Sequence, residues 1–206
     1  MNHLLCVVRG VNVFQDSDDL RVFYTADLDV DVDGAEKAYR LDNSRALGAL
    51  DDIHRSAGFP DGGWPNVLVP DPDDPSTPLV DENGFCISMT SYRRFDFKRE
   101  DRRRYVDAVT VPYAVPPGKV RTICKGVLLG CQARITHLPT KRSIDCVTAD
   151  MSGNSIGEAS LAAAQFFNPE LSARNGDDQP NYLYEFFPGT PAVIGGEQYQ
   201  LIPDSS

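Results

Sequence analysis

Thr148-Ala149-Asp150-Met151-Ser152-Gly153-Asn154-Ser155-Ile156-Gly157-Glu158-Ala159-Ser160 is the stretch whose reading decides the fold of this chain. It sets two carboxylates, Asp150 and Glu158, in a run of small residues and glycine. Ile144-Asp145-Cys146-Val147 just before it reads as a short strand. Leu161-Ala162-Ala163-Ala164-Gln165-Phe166-Phe167 just after it is a strong helix former, and the Asn168-Pro169 step ends that helix. A helix over 158–167 therefore puts Asp150 at a strand end and Glu158 at a helix start. Two acids facing each other across a cleft can divide the work of general acid and general base, as hydrolysis of a glycosidic bond requires.

Working outward, the neighbouring segments are β-prone. Strands are expected at 126–129 and 131–137, with Pro139-Thr140-Lys141-Arg142 as a hairpin turn into 143–149. Downstream, a polar loop at 175–178 leads to a final strand, Tyr182-Leu183-Tyr184-Glu185-Phe186-Phe187, and residues 195–206 form a tail. Upstream, Tyr105–Pro116 holds a strand near its end. Residues 1–20 read as a strand and a polar turn, and Arg21–Ala26 as another β-prone run.

Asp27-Leu28-Asp29-Val30-Asp31-Val32-Asp33-Gly34 alternates strictly, with aliphatics on one face and a ladder of four aspartates pointing outward on the other. The spacing of Asp29, Asp31, Asp33 and Gly34 copies the first half of a calcium-binding loop. Its twelfth position would be Arg40, where a bidentate glutamate is needed, so no metal site is assigned.

Residues 42–57 read as a helix, with Leu47, Leu50 and Ile53 at helical spacing and Gly58 as the stop. Residues 58–84 are rich in glycine and proline and read as a long ordered loop of the kind that walls a binding site. That loop carries Trp64, the single tryptophan, which fits either a core anchor or an aromatic platform for a sugar ring. The basic run Arg93, Arg94, Lys98, Arg99, Arg102, Arg103 and Arg104 is interleaved with acids and reads as a salt-bridged face.

Length and composition bound the rest. With 206 residues and 41% hydrophobic content, the chain suits one domain with a core of useful size. A net charge of −10 argues against nucleic acid and anionic membranes as partners, and favours a cationic one. The first ten residues lack a basic region and a cleavage site, so no secretory leader is read there. The chain then acts inside the cell, has lost a leader, or leaves by a leaderless route. Five cysteines at irregular spacing, with no Cys-x-x-Cys pair, argue against zinc. They allow buried thiols, or one disulfide within residues 124–146.

Several segments, in order, resemble glycoside hydrolase family 75, the chitosanases of fungi and some bacteria. They are Phe23-Tyr24 with Asp29–Gly34, Ala49-Leu50-Asp51, Gly62-Gly63-Trp64, and Arg103–Ala108 with Val111-Pro112-Tyr113. Ala149-Asp150, Ile156–Ala162 and the Tyr184–Gly189 ending complete the series, which spans about residues 22–194 of a single domain over 1–206. The resemblance implies a mainly β (α+β) fold: a six-stranded double-psi β-barrel core with inserted loops and two or three helices. It also implies an inverting, endo-acting hydrolase of β-1,4-linked glucosamine polymers that needs no cofactor. Asp150 and Glu158 match its acid/base pair, with Asp150 favoured as the acid because such barrels place an aspartate at that strand end. Asp29, Asp31, Asp33, Trp64, Tyr105 and Asp107 fall on the matching segments as substrate-binding candidates. The partner implied is chitosan or a related polysaccharide, and the implied location is extracellular. Where the family shows Asp-x-Gly-Pro, this chain reads Asp150-Met151-Ser152-Gly153. Two other readings fit the same residues: a peptidoglycan-cleaving glycosidase exported without a leader, and a non-catalytic carbohydrate-binding barrel.

Overall fold

The structure, a computed structural model, describes residues 1–124 and 126–203. Met1–Asp31 and Thr110–Ser206 form one compact unit, and Val32–Val109 forms a second, inserted between them in sequence. Residues 204–206 of the expected tail lie outside the described residues.

The first unit is built on strands β1 (Asn2–Val8), β2 (Val11–Asp16), β3 (Val22–Asp31), β4 (Tyr113–Val115), β5 (Cys131–His137), β6 (Arg142–Thr148), β7 (Glu158–Ser160) and β8 (Asp177–Pro191). Two short helices accompany them, α1 (Gly118–Ile123) and α2 (Leu161–Phe167). Six strands close into a barrel in the order β3-β7-β4-β6-β5-β8, with β8 returning to pair with β3. The β3–β7 and β4–β6 pairs are parallel and the other pairs of the ring are antiparallel. The β1–β2 hairpin hangs on the first residues of β3, where Phe14 pairs with Phe23.

Alternation dictates which faces meet. On β3, Val22, Tyr24, Ala26 and Leu28 are buried, as are Ala133 and Ile135 on β5 and Tyr182, Tyr184 and Phe186 on β8. These side chains fill the barrel in one cluster, and Tyr24 stacks on Tyr184 with ring centroids 5.1 Å apart. Removing each large side chain from water contributes on the order of 1.5–3 kcal/mol. The aromatic pairing adds about 0.5–1.5 kcal/mol.

Several sequence expectations need correction. Glu158 belongs to strand β7 and not to the helix, which begins only at Leu161. Ser160 explains the switch: its Oγ accepts from Ala163 N–H at 3.2 Å as an N-cap, and from Tyr113 N–H at 2.9 Å on the neighbouring strand. Residues 126–129 contribute only a single bridge, Leu129 to Ile202. Part of the expected tail is ordered, with Tyr199 buried and β9 (Val193–Ile194) paired to β10 (Glu197–Gln198). All five cysteines are buried free thiols, so no disulfide forms in 124–146.

In the second unit, residues 42–57 form successive turns and no helix. Polar side chains capture the backbone donors a helix would use. Asp42 Oδ1 accepts from Ser44 N–H, and Asp52 Oδ1 from both His54 and Arg55 N–H. The apolar spacing was real but served the turns: Ile53 and Ala49 are buried while Leu47 is exposed. The basic run is structural. Arg102 reaches Asp81 at 2.8 Å and the Phe85 carbonyl at 3.0 Å, Arg104 reaches the Phe97 carbonyl at 2.5 Å, and Arg103 pairs with Asp101 at 2.6 Å.

Candidate active site

The register of the parallel β3–β7 pair assembles the site. Asp29 lies opposite Glu158, and Asp31 opposite Ser160. Directly paired residues of parallel strands project to the same face, and alternation returns to that face two residues on. Asp29, Asp31, Glu158 and Ser160 therefore share one face, while Leu28 and Ala159 point the other way into the barrel cluster. The acids stand on the outer face of the barrel wall.

Asp150 joins them from β6, two residues past its end. It is buried, as is Asp31, and carboxylate oxygens of the two lie within 4.8 Å of each other. At that separation each charge disfavours the ionisation of the other. Asp150 Oδ1 also accepts from Met151 N–H at 2.7 Å, which turns the chain away from the strand direction.

Glu158 is the electrostatic centre of the group. Its side chain keeps only part of its surface open, and burial pushes its carboxyl well above the usual glutamate range. The neighbouring charges of Asp31, Asp150 and Asp29, in that order, push it further the same way. Like charges gathered in a low-dielectric pocket disfavour one another's ionisation, so Glu158 holds its proton more tightly than an isolated glutamate does. Asp29 lies nearer solvent. Partial shielding and the charge of Asp178 raise its carboxyl as well, while Arg9 opposes the rise.

Backbone contacts fix Glu158 in place. The carbonyl of Gly157 accepts from Asp29 N–H at 2.8 Å and from the Tyr184 hydroxyl at 2.7 Å. Gly157 has φ +92°, and a Cβ there would lie 2.4 Å from Asp27 Oδ1 and 2.9 Å from the Asp27 carbonyl oxygen. Only glycine lets β7 approach β3 so closely. The segment 151–155, which follows Asp150, is tied down as well. Ser152 O accepts from Gly118 N–H at 2.9 Å, and Ser152 Oγ donates to Ser155 O at 2.7 Å.

Of the residues singled out in the sequence, the structure thus brings together Asp29, Asp31, Asp150 and Glu158. Asp33, Trp64, Tyr105 and Asp107 belong to the second unit. Asp33 accepts from the Tyr39 hydroxyl at 2.8 Å and the Ser88 hydroxyl at 3.1 Å. Trp64 is only 5% exposed and meets Phe59 edge-on, which makes it a core anchor and corrects the sugar-platform reading. Tyr105 is buried against Val69, Ile87 and Met89, and its hydroxyl donates to the Arg99 carbonyl. That burial replaces its expected contact with substrate. Asp107 caps a turn by accepting from Val109 N–H at 3.0 Å.

Tyr184 and Gly157 are the residues that sequence reading missed as site components. A glycine directly before a candidate catalytic acid was the available signal of close backbone approach. No protein-family model matches the chain, and no curated protein matches it.

Proposed function

We propose that this protein is an inverting glycoside hydrolase acting within β-1,4-linked amino-sugar polymers such as chitosan, on a barrel of the double-psi type. The observation that carries the reading is the gathering of carboxyls: Glu158 stands opposite Asp29 in the strand register, beside the buried Asp150, and burial with three neighbouring aspartates pushes its carboxyl well above the usual glutamate range. Two acids with unlike environments are what general acid and general base require. The mixture of parallel and antiparallel strands in the closed ring, and the collinear family-like segments, support the same assignment.

The environments favour Glu158 as the acid, the reverse of the order that family analogy suggests. In the proposed step, Glu158 donates its proton to the glycosidic oxygen as the bond to the anomeric carbon breaks. Asp150 takes a proton from a water whose oxygen bonds to that carbon from the opposite face. The products are a free hydroxyl on one fragment and an inverted hemiacetal on the other. Proton exchange with solvent then restores Glu158 as acid and Asp150 as base. Asp31 acts through Glu158, holding its proton by repulsion, and Asp29 presents charge toward the ammonium groups of glucosamine.

The test is reducing-end release from chitosan, chitin and purified peptidoglycan by wild type, Glu158→Gln and Asp150→Asn. Each variant is expected to lose about 10²–10⁴ in kcat while remaining folded. Near-normal turnover by either folded variant overturns the pair. Binding of oligosaccharide by wild type with no turnover on any polymer would leave a carbohydrate-binding barrel as the reading.

A further inference from the structure

We infer that the first unit carries a second subsite, for a carboxylate borne by the sugar polymer, next to the acidic rim. A cavity of about 590 Å³ is lined by Val7, Val8, Arg9, Lys119, Asn154 and Ser155. The chain has 20 Lys and Arg against 30 Asp and Glu, yet both charged residues lining this cavity are cations. Such a lining attracts an anion against the sign of the whole molecule.

The cations are held by rigid backbone. Arg9 and Gly10 connect β1 to β2 with φ +47° and +85°, the left-handed pair of a tight primed hairpin turn. Lys119 Nζ donates to the Val7 carbonyl at 3.0 Å, leaving two of its three protons for a ligand. Asn154 and Ser155 add an amide and a hydroxyl to the lining. A guanidinium and an ammonium backed by neutral donors suit a carboxylate, which Arg can engage with two parallel hydrogen bonds.

Its position ties this cavity to the acid pair. Ser155 stands three residues before Glu158, and the charge of Arg9 opposes the rise that burial imposes on the carboxyls of Asp27 and Asp29, the latter being the register partner of Glu158. A chain of glucosamines alone would set ammonium groups against Arg9 and Lys119. A polymer that places a carboxylate-bearing sugar beside an amino sugar satisfies both regions at once. This inference rests on the glycosidase reading for the identity of the ligand, but the subsite itself is measurable without turnover.

The experiment compares two β-1,4-linked amino-sugar oligomers that differ only at a carboxylate substituent: the free acid and its methyl ester. Affinities are measured by calorimetry in the Glu158→Gln background, so that no ligand is consumed. The free acid is expected to bind about tenfold more tightly, equivalent to ~1.4 kcal/mol. The preference should vanish when Arg9→Gln and Lys119→Gln are added, and should shrink in the Arg9→Lys variant, which keeps charge but loses the fork. Equal affinity for acid and ester overturns the subsite, as does a preference that survives the double substitution. If wild type cleaves chitosan but shows no acid preference, the subsite falls and the hydrolase reading stands. If the acid preference is present and no polymer is cleaved by wild type, the hydrolase reading falls and the subsite stands.

Discussion

Replacing Gly157 by alanine tests how the barrel positions Glu158. The added Cβ would lie 2.4 Å from Asp27 Oδ1, 2.9 Å from the Asp27 carbonyl oxygen and 3.1 Å from Ala26 Cβ. The Asp27 carboxylate can swing aside, but the carbonyl and Ala26 belong to β3 and cannot move without it. At φ +92°, alanine also costs about 1–2 kcal/mol in backbone strain. Overpacking adds about 1–3 kcal/mol, and the stiffer unfolded chain returns roughly 0.4–1 kcal/mol. The net loss is about 2–4 kcal/mol, a fall in Tm of roughly 6–12 °C for a chain of this size. Because Gly157 immediately precedes Glu158, strand separation also displaces the acid, so kcat should fall by at least about tenfold in protein that remains folded. Tyr184→Phe is the graded companion, since it removes only the hydroxyl that donates to the Gly157 carbonyl at 2.7 Å and should cost ~1 kcal/mol. Thermal unfolding and polymer hydrolysis on the same preparations decide the matter. A Gly157→Ala protein with Tm within about 2 °C of wild type and unchanged kcat would refute the claim that this close approach holds the site together.

Two further predictions follow from the charges and the thiols. Glu158 acts as acid only while protonated, so activity should be lost as pH rises through its elevated pKa. Asp31→Asn removes the largest neighbouring charge that raises it, so the alkaline limb of the kcat profile should move to lower pH, and an unmoved limb would separate Asp31 from Glu158. The buried thiols should react slowly with a disulfide reagent in the native protein, because burial pushes Cys131 up to about 11 and Cys86 up to about 12. Rapid labelling of these two without denaturant would contradict their burial; all five should titrate once the chain is unfolded.

What the sequence made legible was decided by local chemistry. Strand β5 matched its expected 131–137, and the strand before Asp150, the end of α2 and the centre of β8 all followed from alternation and from the Asn168-Pro169 stop. These segments carry a pattern that packing reinforces. The helix expected at 42–57 failed because its apolar spacing competed with Asp42 and Asp52, whose carboxylates take backbone N–H groups for tight turns. Trp64 and Tyr105 could not be placed from sequence, since an aromatic side chain reads alike in a core and on a sugar platform until its neighbours are known. Asp27, Asp29, Asp31 and Asp33 looked equivalent in the alternation. Yet Asp29 stays exposed, Asp31 is buried beside Asp150, and Asp33 is tied to Tyr39 and Ser88.

The segment 151–155 gains a physical meaning from the fold. That segment leaves Asp150, is pinned to α1 through the Gly118 to Ser152 bond, and ends two residues before Gly157. Its conformation therefore spaces the two candidate catalytic carboxyls. Its last residues, Asn154 and Ser155, also form a wall of the cavity that holds Arg9 and Lys119. A change there alters two things at once: the reach between acid and base, and the charge a bound polymer meets beside them. On an outer barrel face rich in aspartate, that cationic cavity gives the site an electrostatic boundary. A uniformly cationic polymer gains on one side of that boundary and loses on the other. A polymer alternating in charge gains on both, so under the proposed hydrolase reading substitutions in 151–155 should change the preference between the two polymers.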